Sequence, residues 1–172
     1  MDHIRYLNLA LAEAELAQDE GSAPVGSVIV ASDGRVVSRG RNRVLSRGDQ
    51  TAHAETDAIR NAGAAVALAA PGTIAPIASG GGYTLYTSAE PCLMCLGAIL
   101  FSSIETVVWA AASVTGGAYD AVLASGHQKE RLQALQVIRE PSPEHRSRSR
   151  EMLREFYLKR GDLRLANLLA GP

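Results

Sequence analysis

The opening residues, MDHIRYLNLALAEAELAQDE, carry Ile4, Leu7, Leu11, Ala14 and Ala17 on a helical repeat with polar residues between them. That spacing predicts an amphipathic helix, and Asp2 stands where an N-cap belongs. PVGSVIVA and RVVSRG lie on either side of Asp33-Gly34. They predict two strands joined by a tight hairpin. RNRVLSRGDQ has no apolar period and reads as a loop, and TAHAETDAIRNAG predicts a helix starting near Thr51 or Ala52. From Ala64 to Gly82 the alanines allow that helix to continue, but Pro71, Pro76 and the triple glycine predict a loop.

YTLYTS is a short apolar strand, and PCLMCLGAILFSS is a helix with Pro91 at its first position. ETVVWAA is a strand, with Trp109 expected in the core. SVTGGAYDAVLASG is a loop running into a short helix, and LQALQVIRE holds a further strand. EPSPEHRSRS reads as a polar connection, EMLREFYLKRG as a helix ended by Gly161, and DLRLANLLAG as a last helical turn or two. Helices alternating with five strands predict an α/β sandwich whose later strands run parallel. No repeat or internal boundary is visible, so residues 1–172 are expected to form a single domain, with a C-terminal helical segment at about 143–172.

Composition narrows the class. With 47% hydrophobic and 20% charged residues, the chain has a globular profile. No apolar run approaches the ~20 residues of a membrane span, and the acid-bearing first segment is unlike a signal peptide, so a cytoplasmic protein is expected. A net charge of -1 excludes a uniformly basic nucleic-acid surface.

The two cysteines, Cys92 and Cys95, stand in TSAEPCLMC. Positions i and i+3 share a helix face, so both sulfurs can approach one ion. A helix N-terminus also favours the thiolate a metal needs. The third ligand has a candidate in His53 of TAHAE; His3, His127 and His145 read as ordinary surface or core residues. One histidine and two cysteines leave a tetrahedral zinc with an open position, the mark of a catalytic site. Glu55, in the first turn of the same helix, can reach that open side. Zinc lowers the pKa of water from ~15.7 to ~7, worth roughly 12 kcal/mol, whereas a side-chain base contributes about 10²–10⁴-fold. The division of labour follows: metal for the nucleophile, Glu55 for the protons.

HAE followed by PCLMC is the H-x-E…P-C-x-x-C signature of zinc deaminases. Together with APVGSVIV, GRNRV, TLYTSAEPCLMCLGAI and VVWAA, it makes the chain resemble the cytidine deaminase-like superfamily from about Leu7 to about Asp120. The relevant branch holds guanine deaminases, cytosine deaminases and tRNA adenosine deaminases. The resemblance implies a three-layer α/β/α sandwich around a mixed sheet of about five strands, and one Zn²⁺ per subunit on His53, Cys92 and Cys95. It implies Glu55 as proton shuttle, Asn42 and backbone groups at Ala54 and around Ser88 to Glu90 lining the substrate pocket, and a homodimer. Asp120, in GAYDA, resembles an aspartate that guanine deaminases place near the purine, with a surface or cap aspartate as the other reading. Glu90 reads as a pocket residue or as a cap for the next helix.

The substrate is set by weaker signals. TSAEPC, GAYD and the apolar ILF around Phe101 resemble enzymes for free bases, so a free nucleobase or nucleoside is the first expectation, guanine ahead of cytosine. PVG, the N-R pair and V-T-G-G-A resemble tRNA wobble-adenosine deaminases, which makes tRNA the second. A non-catalytic or redox zinc-binding module is the third. Between Glu144 and Arg164 seven Lys or Arg face four acids, a local balance of +3. A solvated helix with acid–base pairs at helical spacing is expected there, and a phosphate-contacting surface is the other reading.

Overall fold

The computed structural model describes residues 2–66 and 82–171. The 67–81 part of the expected alanine- and glycine-rich loop lies outside them. Helix α1 spans His3–Asp19, with the Asp2 carboxylate accepting from the Arg5 N–H as the pattern predicts. The hairpin strands are β1 (Gly26–Val30) and β2 (Val36–Arg41), with Gly34 at φ +86 in the turn. A short helix α2 (Val44–Arg47) then stands where a loop was expected; its only period is one turn, too short to register in sequence. Helix α3 (Ala54–Ala62) and β3 (Tyr83–Ala89) follow. After them come α4 (Leu93–Leu100), β4 (Ile104–Ala111), α5 (Tyr119–Ser125), α6 (Lys129–Ala134) and β5 (Gln136–Arg139). The chain closes with α7 (Pro143–Lys159) and α8 (Leu163–Leu169).

Two starts differ from expectation. Pro91 is not the first residue of α4; Cys92 is the N-cap, with extended backbone, and Pro91 precedes it. The supposed polar connection EPSPEHRSRS is mostly the first half of α7. Ser142 caps that helix by accepting from the His145 N–H, and Pro143 sits in its first turn.

The sheet order is β2-β1-β3-β4-β5. β1 is antiparallel to β2 and to β3, while β3, β4 and β5 run parallel. Both faces are covered. On one, Tyr6, Leu7 and Ala10 of α1 pack on Val28, Val30, Tyr86 and Val108. On the other, Leu96 and Ile99 of α4 and Ala58 of α3 pack on Ile29, Leu85, Val107 and Trp109. The result is the expected three layers, and Trp109 is in the core. No helix among the described residues is long and apolar enough to cross a membrane.

His145 is more than a bystander. Its ring joins Ser142 Oγ at 2.7 Å and Asn8 Oδ1 at 3.0 Å, tying α7 to α1.

Helix α3 lies directly on β2. A Cβ at Gly40 would stand 2.2 Å from the Ala58 nitrogen and 2.4 Å from the Ala54 carbonyl oxygen, so only glycine permits this approach. Gly40→Ala is expected to cost about 2 kcal/mol or more, because backbone rather than a side-chain tip must move. Urea denaturation of the two proteins checks this; equal midpoints would contradict it.

Candidate active site

The site forms where the N-termini of α3 and α4 meet. His53 and Cys92 are the N-cap residues of those two helices, both with extended backbone, and neither side chain caps its own helix. Each is thereby free to turn toward the other. The Asp49 turn sets up the first of them: its carboxylate accepts from the Thr51 N–H at 2.8 Å, and Thr56 Oγ1 donates to the Thr51 and His53 carbonyls. Cys95, one turn into α4, is fully buried.

Cys92 Sγ lies 3.5 Å from His53 Nδ1 and 3.6 Å from Cys95 Sγ, and all three ligand atoms fall within 4.8 Å of one another. Tetrahedral zinc, with Zn–S ~2.3 Å and Zn–N ~2.0 Å, requires separations of about 3.5 Å for N···S and about 3.8 Å for S···S. The donor set fits zinc in identity and in spacing.

The protein's own charges prepare it. Hydrogen bonding from Cys95 and then from His53 pulls the Cys92 thiol down to about 3, against the cost of burial. The same contact raises Cys95, together with burial. The Cys92 sulfur also raises His53. Burial pushes the Glu55 carboxyl up, so it holds a proton more readily than an exposed glutamate, while a dication beside it pulls the other way. A carboxyl under these opposed influences is suited both to take and to return a proton.

A cavity of about 360 Å³ opens beside these groups, with His53, Glu55 and Cys92 in its wall. Asn42 and Ala54 line it as well. The Asn42 Oδ1 accepts from the Val44 N–H at 3.2 Å, which fixes the amide's rotation. Ala54, the first residue of α3, contributes one of the N–H groups that a helix start leaves without an intrahelical partner. Ala89 and Glu90 line the cavity, but Ser88 does not. Ser88 is buried behind it, its Oγ accepting from the Gly26 N–H and its carbonyl from Ser149 Oγ. Asp120 is also absent from the lining. It forms a two-bond ion pair with Arg139 (2.6 and 2.9 Å) on the exposed start of α5. Glu90 does not cap α4; its carboxylate accepts instead from the Ser113 N–H.

Several contributors were not foreseen. Asp57, 1% exposed, accepts from the Arg41 N–H and has Arg43, Arg47 and Arg60 within 3.6–3.8 Å. It thus ties the Asn42 loop to α3; its position two residues after Glu55 was the available clue. Leu153, Phe156 and Tyr157 of α7 and Arg160, its C-cap, line the cavity. Their spacing, i, i+3, i+4 and i+7, marks one helix stripe and was readable in sequence.

Residues 1–111 match the family described as the cytidine and deoxycytidylate deaminase zinc-binding region. The chain belongs to this family. The family is zinc-binding, so the cofactor is zinc, and His53, Cys92 and Cys95 are positioned to bind a metal. A tRNA-specific adenosine deaminase of Agrobacterium fabrum is 34% identical over 157 residues, covering 91% of this chain and 94% of that protein. A guanine deaminase of Bacillus subtilis is 38% identical over 117 residues, covering 64% and 65%. Among solved structures, one described under A-to-I editing by tRNA:A34 deaminases at the wobble position superposes with a TM-score of 0.68 at 34% identity. It covers 87% of this chain and 99% of its own. Several further relatives are much longer proteins, of which the chain spans 8–20%.

Proposed function

We propose that this deaminase acts on adenosine in tRNA, converting it to inosine with release of ammonia. The extent of alignment carries the reading. The tRNA-adenosine relative aligns across nearly the whole of both chains, and the guanine deaminase across about two thirds of each. This reverses the order that sequence wording suggested, and two placements weigh against that wording. Asp120 is engaged by Arg139 away from the cavity, and Phe101 packs under the Arg131 guanidinium (4.6 Å) on another face.

The C-terminal helix also suits RNA. Of its basic residues, Arg146 pairs with Glu140, Arg148 with Glu15, and Arg150 donates to the carbonyls at the end of α8. These partners lie on other elements, so the expected acid–base pairs along the helix are not what holds them. Among the described residues Arg154, Lys159, Arg160 and Arg164 form no ion pair. Arg160, stacked on Phe156 at 5.5 Å, stands at the cavity rim, where bases beside the target can stack and phosphates can pair.

When bound, zinc supplies the Lewis acid that makes water nucleophilic at neutral pH. The protein's residues do the rest. The Asn42 amide and the Ala54 N–H orient the base. Glu55 takes a proton from the attacking water and delivers it to the ring nitrogen; it then takes the second proton, from the hydroxyl now on the ring carbon, and gives it to the amino group as the C–N bond breaks. Water and adenosine become inosine and ammonia.

Four cations on phosphates predict steep salt dependence. At a slope of about −0.7 per contact, affinity for an anticodon stem-loop falls about 50-fold between ~50 and ~200 mM salt. Fluorescence anisotropy in a salt series, with guanine as competitor, checks this. Salt-insensitive binding, or displacement of the RNA by guanine, would contradict the RNA reading.

A further inference from the structure

We propose that Glu90 is a positioning residue whose carboxylate holds residues 112–115 as a wall of the reaction cavity and thereby sets substrate affinity. This rests on the cavity being the deaminase site, not on which base occupies it.

The segment Glu90–Pro91, between β3 and the metal ligand Cys92, is joined to the chain after β4 at three points. The Glu90 N–H donates to the Ala111 carbonyl at 2.8 Å. The Glu90 Oε2 accepts from the Ser113 N–H at 3.2 Å. The Pro91 carbonyl accepts from the Ala118 N–H at 3.2 Å. Between these ties, Ala112, Ser113, Val114 and Thr115 face the cavity beside Glu90 itself.

The fit is close. A Cβ on Gly117 would stand 2.2 Å from Glu90 Oε2 and 2.3 Å from its Cδ, so the loop's backbone rests directly on the carboxylate. The adjacent Gly116 meets nothing within 4 Å but has φ +154. One glycine is there for backbone conformation, the other for the approach to Glu90. Without the carboxylate, the Ser113 N–H loses its acceptor and the loop its underside. A helix-capping role is set aside by the N-cap at Cys92, which has no side-chain cap. A reacting role is disfavoured because Oε2 is already committed to a backbone amide.

Three variants test the assignment: Glu90→Ala, Glu90→Gln and Gly117→Ala. Glu90→Ala is expected to speed hydrogen exchange at the Ser113 amide about tenfold or more. It should raise KM about tenfold, the scale of orphaning one N–H, with kcat within about threefold and zinc content unchanged. Glu90→Gln keeps an acceptor oxygen of the same reach and should restore both readouts to near the parent values. Gly117→Ala displaces the carboxylate and should move exchange and KM as Glu90→Ala does, which keeps the test decisive if that variant folds poorly. Unchanged exchange and KM in Glu90→Ala and Gly117→Ala would overturn the proposal. So would a Glu90→Gln protein as impaired as Glu90→Ala, since that would make the charge itself the functional element. Exchange is read without substrate and KM on whichever base is turned over, so failure of the tRNA reading would leave this test standing.

Discussion

Glu55→Ala is expected to keep about one zinc per chain and to lose turnover by about 10²–10⁴-fold, the contribution of a positioned acid–base group. The retained metal follows from the geometry: the three ligand atoms gather within 4.8 Å of one another without the Glu55 carboxylate. The lost turnover follows from its place. Glu55 is 3% exposed, opens onto the cavity beside His53 and Cys92, and is the acid of that wall whose burial raises its proton affinity. Glu90, the other acid of the wall, is already held by the Ser113 amide. Metal analysis and ammonia release on one preparation check both halves. Turnover within tenfold of the parent would remove Glu55 from the proton transfer.

Cys92→Ser or Cys95→Ser is expected to do the opposite: zinc falls to a small fraction of one per chain after dialysis, and activity falls with it. A serine hydroxyl stays protonated where a thiolate is needed, and the site has only three protein ligands to begin with. Cys92 carries the larger electrostatic preparation, since Cys95 and His53 already hold it as thiolate. Cys95 is fully buried, so its replacement also leaves a hydroxyl in the core. Zinc content measured by atomic emission, next to that of Glu55→Ala, separates metal-holding from proton-moving residues. Full zinc occupancy in both serine variants would contradict the assignment.

The chemistry was the most legible part of this chain. TAHAE and PCLMC are short and carried by residue types with few alternative uses, so His53, Cys92, Cys95 and Glu55 could be named as candidates before any fold was known, and the fold brings them to one cavity. The strands were legible too, because short apolar runs bounded by turn residues seldom fold as anything else. What escaped was contact made across the chain. Nothing near Ser88 in sequence indicates that Ser149, 61 residues on, would take its carbonyl and leave it behind the cavity. Asp120 read by its neighbours either as a purine contact or as a surface aspartate, and Arg139 from β5 pairs with it at the surface. The start of α7 was a different failure: Ser142-Pro143 is a readable cap, masked by the polar residues that follow. The cavity walls also come from α7 and residues 112–115, which only the folded chain brings beside His53.

Inosine content of an anticodon stem-loop RNA, measured by nucleoside mass spectrometry after incubation with the zinc-loaded protein, decides whether this chain deaminates adenosine in tRNA. The expected result is adenosine converted to inosine by the parent protein and not by Glu55→Ala. Intact adenosine in the RNA, with ammonia released from guanine or cytosine under the same conditions, would contradict it.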